Sequence, residues 1–256
     1  MHPERTNPER VRKAPGRIVW VTAGLLLSAC GGGGSGETGT EAVVVEGDFP
    51  VVFAKRDVAA VGNPTDGTIF RPGGDLMLRD LSSPSAETVN ITASYTQGTG
   101  DVSDPEVSYD GRRVLFSMRG PNDRTWNVWE YDLDTEGLHR LIADDAVADE
   151  GDDVDPAYLP DGRIIFSSNR QEKSRAVLAA DNVEPYPHLD EYERERAILL
   201  HIMNGDGTEI RQISFNQSHD RNPTVLSTGE IMFARWDHGG NNNHFPIFFT
   251  NPDGSN

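Results

Sequence analysis

One stretch of the sequence decides the fold: Asp104-Pro-Glu-Val-Ser-Tyr-Asp-Gly-Arg-Arg-Val-Leu-Phe-Ser-Met-Arg119. The same pattern returns as Asp155-Pro-Ala-Tyr-Leu-Pro-Asp-Gly-Arg-Ile-Ile-Phe-Ser-Ser-Asn-Arg170, and again as Asn222-Pro-Thr-Val-Leu-Ser-Thr-Gly-Glu-Ile-Met-Phe-Ala-Arg235. A degenerate earlier copy reads Phe49-Pro-Val-Val-Phe-Ala-Lys-Arg56. Internal repeats at such spacings are typical of proteins assembled from one stacked structural unit.

Each copy is predicted to form four short β-strands. After the phenylalanine comes a second apolar run, such as Val128-Trp-Glu-Tyr-Asp132, and the first three copies add a further segment, such as Ile210-Arg-Gln-Ile-Ser214. These segments are rich in β-branched and aromatic residues and are bounded by Gly, Asp, Asn and Pro, which is typical of strands. Asp-Gly pairs such as Asp110-Gly111 indicate hairpin turns, because glycine accepts the positive φ that tight turns require.

The predicted fold class is therefore all-β: a β-propeller of four-stranded antiparallel blades. Such a sheet has two apolar faces, and radial stacking of the copies buries both of them. A β-sandwich is the alternative, but it gives no reason for one motif to recur with its turns in place. About four blades fit the repeat region 42–256, at approximately 42–93, 104–142, 155–214 and 222–256.

The ring of blades is expected to be incomplete. The fourth copy ends after its third strand, and raw sheet edges are an aggregation hazard. The chain is therefore interpreted as the N-terminal part of a longer protein. Alternatively, Ala42-Val-Val-Val45 supplies the missing strand and closes a small four-bladed ring.

The repeat resembles the WD-type repeat of the TolB family of β-propellers, and the resemblance is best at Ile202-Met-Asn-Gly-Asp-Gly-Thr-Glu-Ile-Arg-Gln-Ile213. The fourth copy, from Phe233 to Gly254, also resembles propeller segments of proteins related to the hydrazine synthase alpha subunit. These resemblances cover residues 49–256 and imply the fold, but the repeat serves unrelated tasks. The haem-binding Cys-x-x-Cys-His motif of the hydrazine synthase relatives is absent from the sequence, so their redox chemistry is not implied.

Helical periodicity is weak along the whole chain. The one helix-like patch is Leu189-Asp-Glu-Tyr-Glu-Arg-Glu-Arg-Ala197. It is expected either to form two helical turns in a loop or to be a charged, solvated segment.

Charge and cysteine content exclude several classes of function. The formal net charge is −18, whereas nucleic-acid binders carry a basic footprint, so no nucleic-acid partner is expected. The single cysteine, Cys30, excludes an internal disulfide and any zinc site or attached haem that needs two cysteines.

The N-terminus is typical of a secreted, lipid-anchored protein. A basic segment precedes the apolar run Ile18–Ala29, which is too short to span a bilayer and is characteristic of a signal peptide. Leu27-Ser-Ala-Cys30 resembles the bacterial lipobox, which implies a signal peptide at 1–29, a lipid on the sulfur of Cys30 and a flexible tether at 30–41. Gly31 after the cysteine implies sorting to the outer membrane of the bacterial cell envelope, and the body is expected to face the periplasm.

Strand parity predicts which face would bind a partner. In an antiparallel meander alternate loops share a rim, so the long segments 57–74, 171–196 and 237–246 fall on one face, together with 143–154 and 215–222. Long loops on a rigid scaffold are where function concentrates, so a protein or small-ligand partner is expected there.

Candidate residues on this face form three groups, each with a structural alternative. The recurrent Asp104, Asp155 and Asn222, with Arg119, Arg170 and Arg235, could grip an anionic ligand, or could be structural bonds between blades. The acidic loop offers oxygen ligands for Ca²⁺, or is simply solvated; its candidates are Asp149, Glu150, Asp152 and Asp153. A histidine-rich group could hold a transition metal, a sugar or a peptide, or be surface residues; it comprises His219, Asp220, Trp236, Asp237, His238 and His244.

The sequence contains no nucleophile elbow, phosphate loop, dinucleotide fingerprint or His-Glu-x-x-His motif, and no cofactor is evident. The expected function is that of a lipid-anchored envelope scaffold. The alternative is the propeller portion of a larger enzyme, a hydrolase or a multihaem redox protein, whose catalytic domain lies beyond residue 256.

Replacing Cys30 tests the anchor. We expect Cys30→Ser to move the chain from the detergent-rich to the aqueous phase in detergent phase partition, because the acylated sulfur is lost. Ser35→Ala, in the tether, is the matched control and should leave the distribution unchanged. A Cys30→Ser chain that still partitions with membranes contradicts lipidation.

Overall fold

The computed structural model describes residues 49–60, 62–83, 85–184 and 186–255. The predicted signal peptide, the tether, Cys30 and the Ala42–Val45 segment lie outside these residues. In the described part of the chain, no helix is long and apolar enough to cross a membrane.

The described residues are dominated by short strands, in agreement with the all-β prediction. The strands are β1 (Val51–Lys55), β2 (Asp75–Arg79), β3 (Thr88–Asn90), β4 (Asp101–Val107), β5 (Arg113–Arg119), β6 (Asn127–Asp132), β7 (Gly137–Arg140), β8 (Asp153–Tyr158), β9 (Ile164–Ser168), β10 (Leu199–Met203), β11 (Arg211–Gln212), β12 (Asp220–Val225), β13 (Ile231–Arg235), β14 (Asp237–Gly239), β15 (Asn242–His244) and β16 (Ile247–Thr250). The helices are α1 (Ala93–Thr96), α2 (Asp145–Ala148) and α3 (Glu172–Ala180), and Val58–Ala60 forms one 3₁₀ turn.

The strands form successive antiparallel sheets, one for each repeat. Sheet 1 has the order β1-β2-β3, sheet 2 β4-β5-β6-β7, sheet 3 β11-β10-β9-β8 and sheet 4 β12-β13-β16, while β14 and β15 form a separate hairpin. The predicted hairpin turns are in place: Gly111 and Gly162 have φ of +71° and +87°, the left-handed region that favours glycine. Within the described residues sheets 1 and 4 do not pair, so the propeller is open.

The loop 171–196 decides between the two alternatives for 189–197 and contains a helix that was not predicted. The patch 189–197 is not helical: Leu189 and Arg196 pair as an isolated bridge, and the Asp190 carboxylate accepts hydrogen bonds from the backbone N–H groups of Tyr192 and Arg194. Such local bonds compete with a helix. Helix α3 was not predicted, because none of its residues is buried and it therefore shows no apolar face.

The core lies between the sheets rather than inside any one of them. Phe116 of sheet 2 packs with Leu76 of sheet 1, Phe166 of sheet 3 packs with Leu115 of sheet 2, and Phe233 of sheet 4 packs in a cluster with Ile165 of sheet 3. Sheets 2 to 4 therefore each bury the recurring phenylalanine of their repeat, called the marker phenylalanine below, against the preceding sheet, which explains why that residue recurs.

In sheets 3 and 4, an arginine at or just after the end of the second strand forms an ion pair with an aspartate at the start of the first strand. Arg170 at the end of sheet 3's second strand donates to both oxygens of Asp153, at 3.0 and 2.5 Å, and both side chains are fully buried. Burial raises the pKa of Asp153, and the Arg170 guanidinium opposes that rise. Arg235 and Asp220 form the same pair in sheet 4, at 2.8 and 2.9 Å.

Breaking the buried pair should be costly. Arg170→Met leaves Asp153 buried without its cation, and we expect a loss of about 3 kcal/mol or more in the free energy of unfolding, measured by urea titration. Arg163→Met is the matched control, because its pair with Asp161 is solvent-exposed and worth about 1 kcal/mol or less. Equal effects of the two substitutions would contradict a structural role specific to Arg170.

Candidate functional site

The first strands of sheets 2, 3 and 4 share a backbone irregularity at the Asp-Pro or Asn-Pro step. Asp104, Asp155 and Asn222 have φ of 55°, 52° and 54°, and the strand register shifts at each of them. Asp and Asn tolerate the left-handed region better than other L-residues do, and the following proline needs no ladder partner for an N–H. The repeated dipeptide therefore encodes a bulge, and these residues are called the axial bulges below.

The axial bulges lie against one another. The backbone N–H and the side-chain amide of Asn222 donate to the two carboxylate oxygens of Asp155, at 3.2 and 3.1 Å. Asp155 in turn lies beside Asp104, close enough for a side-chain hydrogen bond. An ionised carboxylate cannot donate a hydrogen bond, so Asp104 and Asp155 can form one only when one of them is protonated. The Asn222 amide donates to Asp155 without any such change.

A cavity of about 350 Å³ opens at the axial bulges. Its wall combines Asp104, Asp155 and Asn222 with Arg56, Arg221 and Trp126. A long loop adds Ala60, Gly62 and Gly67–Ile69 to the same wall. A second cavity of about 170 Å³ shares the axial bulges and adds their prolines, Pro105, Pro156 and Pro223. The bulges therefore lie where two cavities meet.

The loop described at 57–60 and 62–74, called the strap below, lines one side of the larger cavity. Its carbonyl oxygens at Asp66 and Thr65 accept hydrogen bonds from Arg221 and Arg194, at 2.9 and 3.0 Å. Its Thr68 hydroxyl donates to Asp152 at 2.9 Å. The strap thus joins the repeat of sheet 1 to residues of the later repeats, and the predicted long-loop face is a network of loops in mutual contact.

Both arginines of the cavity have partners. Arg56 donates to both oxygens of buried Asp101, at 2.8 and 2.7 Å, and its guanidinium lies over the Trp126 ring at 5.5 Å. The Arg221 Nε lies 3.8 Å from an Asp155 oxygen. Among the described residues, Asp104 is the carboxyl group of the cavity wall that has no cation within ion-pair distance.

The surroundings of Asp104 hold a proton near neutral pH. Burial and the neighbouring Asp155 raise the pKa of Asp104 to about 7, while a hydrogen bond from Ser103 and the positive charge of Arg56 act in the opposite direction. The side chain still touches the solvent of the cavity, because Asp104 is only partly buried. A carboxyl group with this pKa exchanges its proton readily at physiological pH.

The histidine-rich group becomes an aromatic cluster. Trp236 is buried and donates its Nε1–H to the Asn243 side chain at 2.8 Å, and Tyr192 donates to the same oxygen at 2.9 Å. His219 and His238 contact the rings of Trp236 and Tyr192, respectively. Burial lowers the pKa of His219 to about 4, and its Nδ1 accepts the Ile198 N–H. Asp237 and His244 face each other across the hairpin β14–β15.

Carboxylates of the acidic loop bind other side chains and backbone groups of the protein. Asp152 accepts from the Trp126 N–H and the Asn169 amide, Glu150 pairs with Arg170 and Arg175, and Asp149 lies near Arg124 at 3.8 Å. Among the described residues no three His, Cys, Asp or Glu side chains converge as metal ligands. The calcium and transition-metal expectations stay predictions without geometric support in this part of the chain.

The recurrent arginines do not pair with the axial bulges. Arg170 and Arg235 bind Asp153 and Asp220, two residues before the bulges, and Arg119 donates to the Asp123 carbonyl and lies over the Phe70 ring at 4.7 Å. In sheet 2 the corresponding carboxylate is Asp101, which pairs with Arg119 in the strand register but accepts hydrogen bonds from Arg56. Sequence reasoning missed Arg56, Arg221 and Trp126 as cavity residues, although Arg56 ends the degenerate first copy of the repeat.

Structural comparison supports the propeller resemblance. Hydrazine synthase from Kuenenia stuttgartiensis matches with a TM-score of 0.61 and 18% identity, over 82% of this chain and 31% of that chain. A TolB candidate from Agrobacterium tumefaciens gives 0.49 and 17%, over 72% and 55%. At these identities the likeness shows the fold alone, and the chain spans about a third and about half of these two chains. Neither a protein-family model nor a curated protein matches the sequence.

Asp104→Asn tests the protonation of the axial bulges. A carboxyl whose pKa rises on folding costs no stability below about pH 4, where both states are protonated, and costs most above about pH 7. The asparagine amide can donate to Asp155 without a proton, as Asn222 does. We therefore expect the variant to gain about 1 kcal/mol over wild type at pH 8 and less at pH 5, by urea unfolding.

Asp132→Asn serves as the control for that measurement. Asp132 ends β6, and its carboxylate accepts hydrogen bonds from Thr135 of the following turn, which lower its pKa, so its removal should show no trend between pH 5 and pH 8. If the Asp104→Asn difference is also constant over this range, Asp104 does not titrate there.

Proposed function

We propose that this protein is a β-propeller of the bacterial cell envelope that binds a small polar ligand in the cavity at its axial bulges. The observation that carries the proposal is the cavity itself, about 350 Å³, walled by charged side chains and lined on one side by the strap. Ligand sites on such scaffolds are typically concave and have a few convergent polar groups.

The charge balance of the cavity favours a ligand with a cationic group. Arg56 is bound to both oxygens of Asp101, and Arg221 donates to the Asp66 carbonyl and lies 3.8 Å from Asp155, so both cations face acceptors other than Asp104. Asp104 has no cation within ion-pair distance among the described residues, and burial and the neighbouring Asp155 favour the form of its carboxyl group that keeps its proton. An ammonium group beside Asp104 would replace that proton with a charge-assisted hydrogen bond, and Trp126 offers an apolar surface nearby.

The anchor and location are part of the same proposal and rest on the sequence. The lipobox-like Leu27–Cys30 and the glycine-rich tether would hold the propeller at the outer membrane, facing the periplasm, through a lipid on Cys30. A binding protein in this position would meet solutes that have crossed the outer membrane.

A second candidate function follows from the share of the hydrazine synthase chain that this chain matches. This chain matches only 31% of the hydrazine synthase chain, so a propeller of this kind also occurs as one part of a larger protein. The candidate is the propeller portion of a larger enzyme. A Gly-x-Ser-x-Gly or Cys-x-x-Cys-His motif in the coding sequence after codon 256 would favour it over the scaffold.

Putrescine tests the binding proposal, with 1,4-butanediol as the neutral probe of equal length. We expect calorimetry to detect putrescine but not the diol, and Asp104→Asn to weaken binding about tenfold or more, as loss of a charged hydrogen bond does. Binding should strengthen from pH 6 to pH 8, because Asp104 loses its proton through that range.

Asp132→Asn is again the control and should leave putrescine affinity unchanged. Equal binding of diamine and diol, or binding of putrescine that Asp104→Asn leaves intact, contradicts recognition of a cation at Asp104. Retained binding with the pH trend reversed would contradict the role of its ionised form.

A further inference from the structure

The wall of the cavity at the axial bulges contains two buried nitrogen donors that have no acceptor. Trp126 lines the wall and is 2% exposed, and its Nε1–H has no hydrogen-bond partner among the described residues. Arg221 lines the same wall, and its buried Nε–H is likewise unpartnered in the described part of the chain. A buried donor without an acceptor is costly, so native structures contain few of them.

The other contacts of these two side chains do not supply an acceptor. The Nη1 of Arg221 donates to the Asp66 carbonyl at 2.9 Å, but the Asp155 oxygen lies 3.8 Å from its Nε, which is too far for a hydrogen bond. The Trp126 ring contacts the Arg56 guanidinium at 5.5 Å and the Phe70 ring at 6.4 Å. A guanidinium only donates, and a phenyl ring has no oxygen or nitrogen.

The charges around the cavity favour an uncharged acceptor on the ligand. Arg56 is matched by Asp101, and Arg221 lies beside Asp155. In the proposed function, Asp104 is matched by the ammonium group of the ligand. A carboxylate on the same ligand would add a buried negative charge without a partner, which is costly. An amide carbonyl oxygen accepts hydrogen bonds and adds no net charge.

We infer that the ligand is an amino amide, whose ammonium group binds Asp104 and whose carbonyl oxygen accepts a hydrogen bond from Trp126 or Arg221. The inference rests on the proposed function, because it assumes a cation at Asp104, and it adds the second group that the cavity recognises. The cavity volume of about 350 Å³ lies near the lower end of the range for small-molecule sites, which suits a compound of this size.

Calorimetry of the full chain with two amines of similar shape tests the role of the carbonyl. 4-Aminobutanamide carries the acceptor, whereas 4-methylpentylamine has an isopropyl group in place of the amide. We expect 4-aminobutanamide to bind about tenfold more tightly or better, because only its oxygen satisfies a buried donor. Equal affinities that Asp104→Asn weakens alike leave the cation at Asp104 in place and overturn the inference. Binding of neither amine overturns the proposed function and the inference with it.

Two substitutions identify the donor. Trp126→Phe keeps an aromatic ring without the N–H, and Arg221→Lys keeps the positive charge without the Nε–H. At least one of them should lower the ratio of the two affinities about fivefold or more, chiefly by weakening the binding of 4-aminobutanamide.

Trp129→Phe is the matched control for Trp126→Phe. The Nε1–H of Trp129 is also buried and unpartnered among the described residues, but Trp129 packs in the core cluster between sheets 1 and 2 and does not line the cavity. This substitution should leave the ratio unchanged. A ratio that survives both cavity substitutions, or that Trp129→Phe lowers equally, overturns the inference.

Discussion

The rest of the structure depends on one constraint: an antiparallel sheet with two apolar faces must have both of them covered. No blade of this protein can satisfy that requirement alone, so each marker phenylalanine is buried against the preceding sheet. The constraint explains why the repeat recurs with its turns and why the core lies between sheets.

The same stacking creates the candidate site. Because the first strands of sheets 2 to 4 lie side by side, the bulge that each carries meets its neighbours, and Asp104, Asp155 and Asn222 come into contact. The repeated bulge thus places three polar side chains in one cluster. The Asn222 amide donates a hydrogen bond to Asp155, whereas an aspartate at that position could donate only in its protonated form. Asp104, Asp155 and Asn222 therefore differ in charge, although their φ angles are similar.

Much of the fold could be predicted from the sequence, and less of the site. The Asp-Gly turns and the period of the phenylalanines are local signals, and they predicted the strands, the open propeller and the loops of one face. The partners of the arginines could not be predicted, because Arg170 binds Asp153 at the start of β8, whereas Asp155 in the bulge faces Asn222 of the next sheet. Helix α3 lacked an apolar face to detect, and the bonds of Asp190 kept 189–197 from being helical.

By itself, the sequence determined the repeat unit, the number of such units in the chain, the bulges, and the basic and apolar N-terminus that ends at Cys30. These features depend on neighbouring residues or on a pattern repeated in register. Only the tertiary structure decided that Arg56 is held by Asp101, that the strap reaches Arg221, and that Asp104 has no cation within ion-pair distance among the described residues. The reason is distance along the chain, because burial and charge pairing join residues from different repeats. The local sequence of one repeat does not show which side chains the other repeats place beside it.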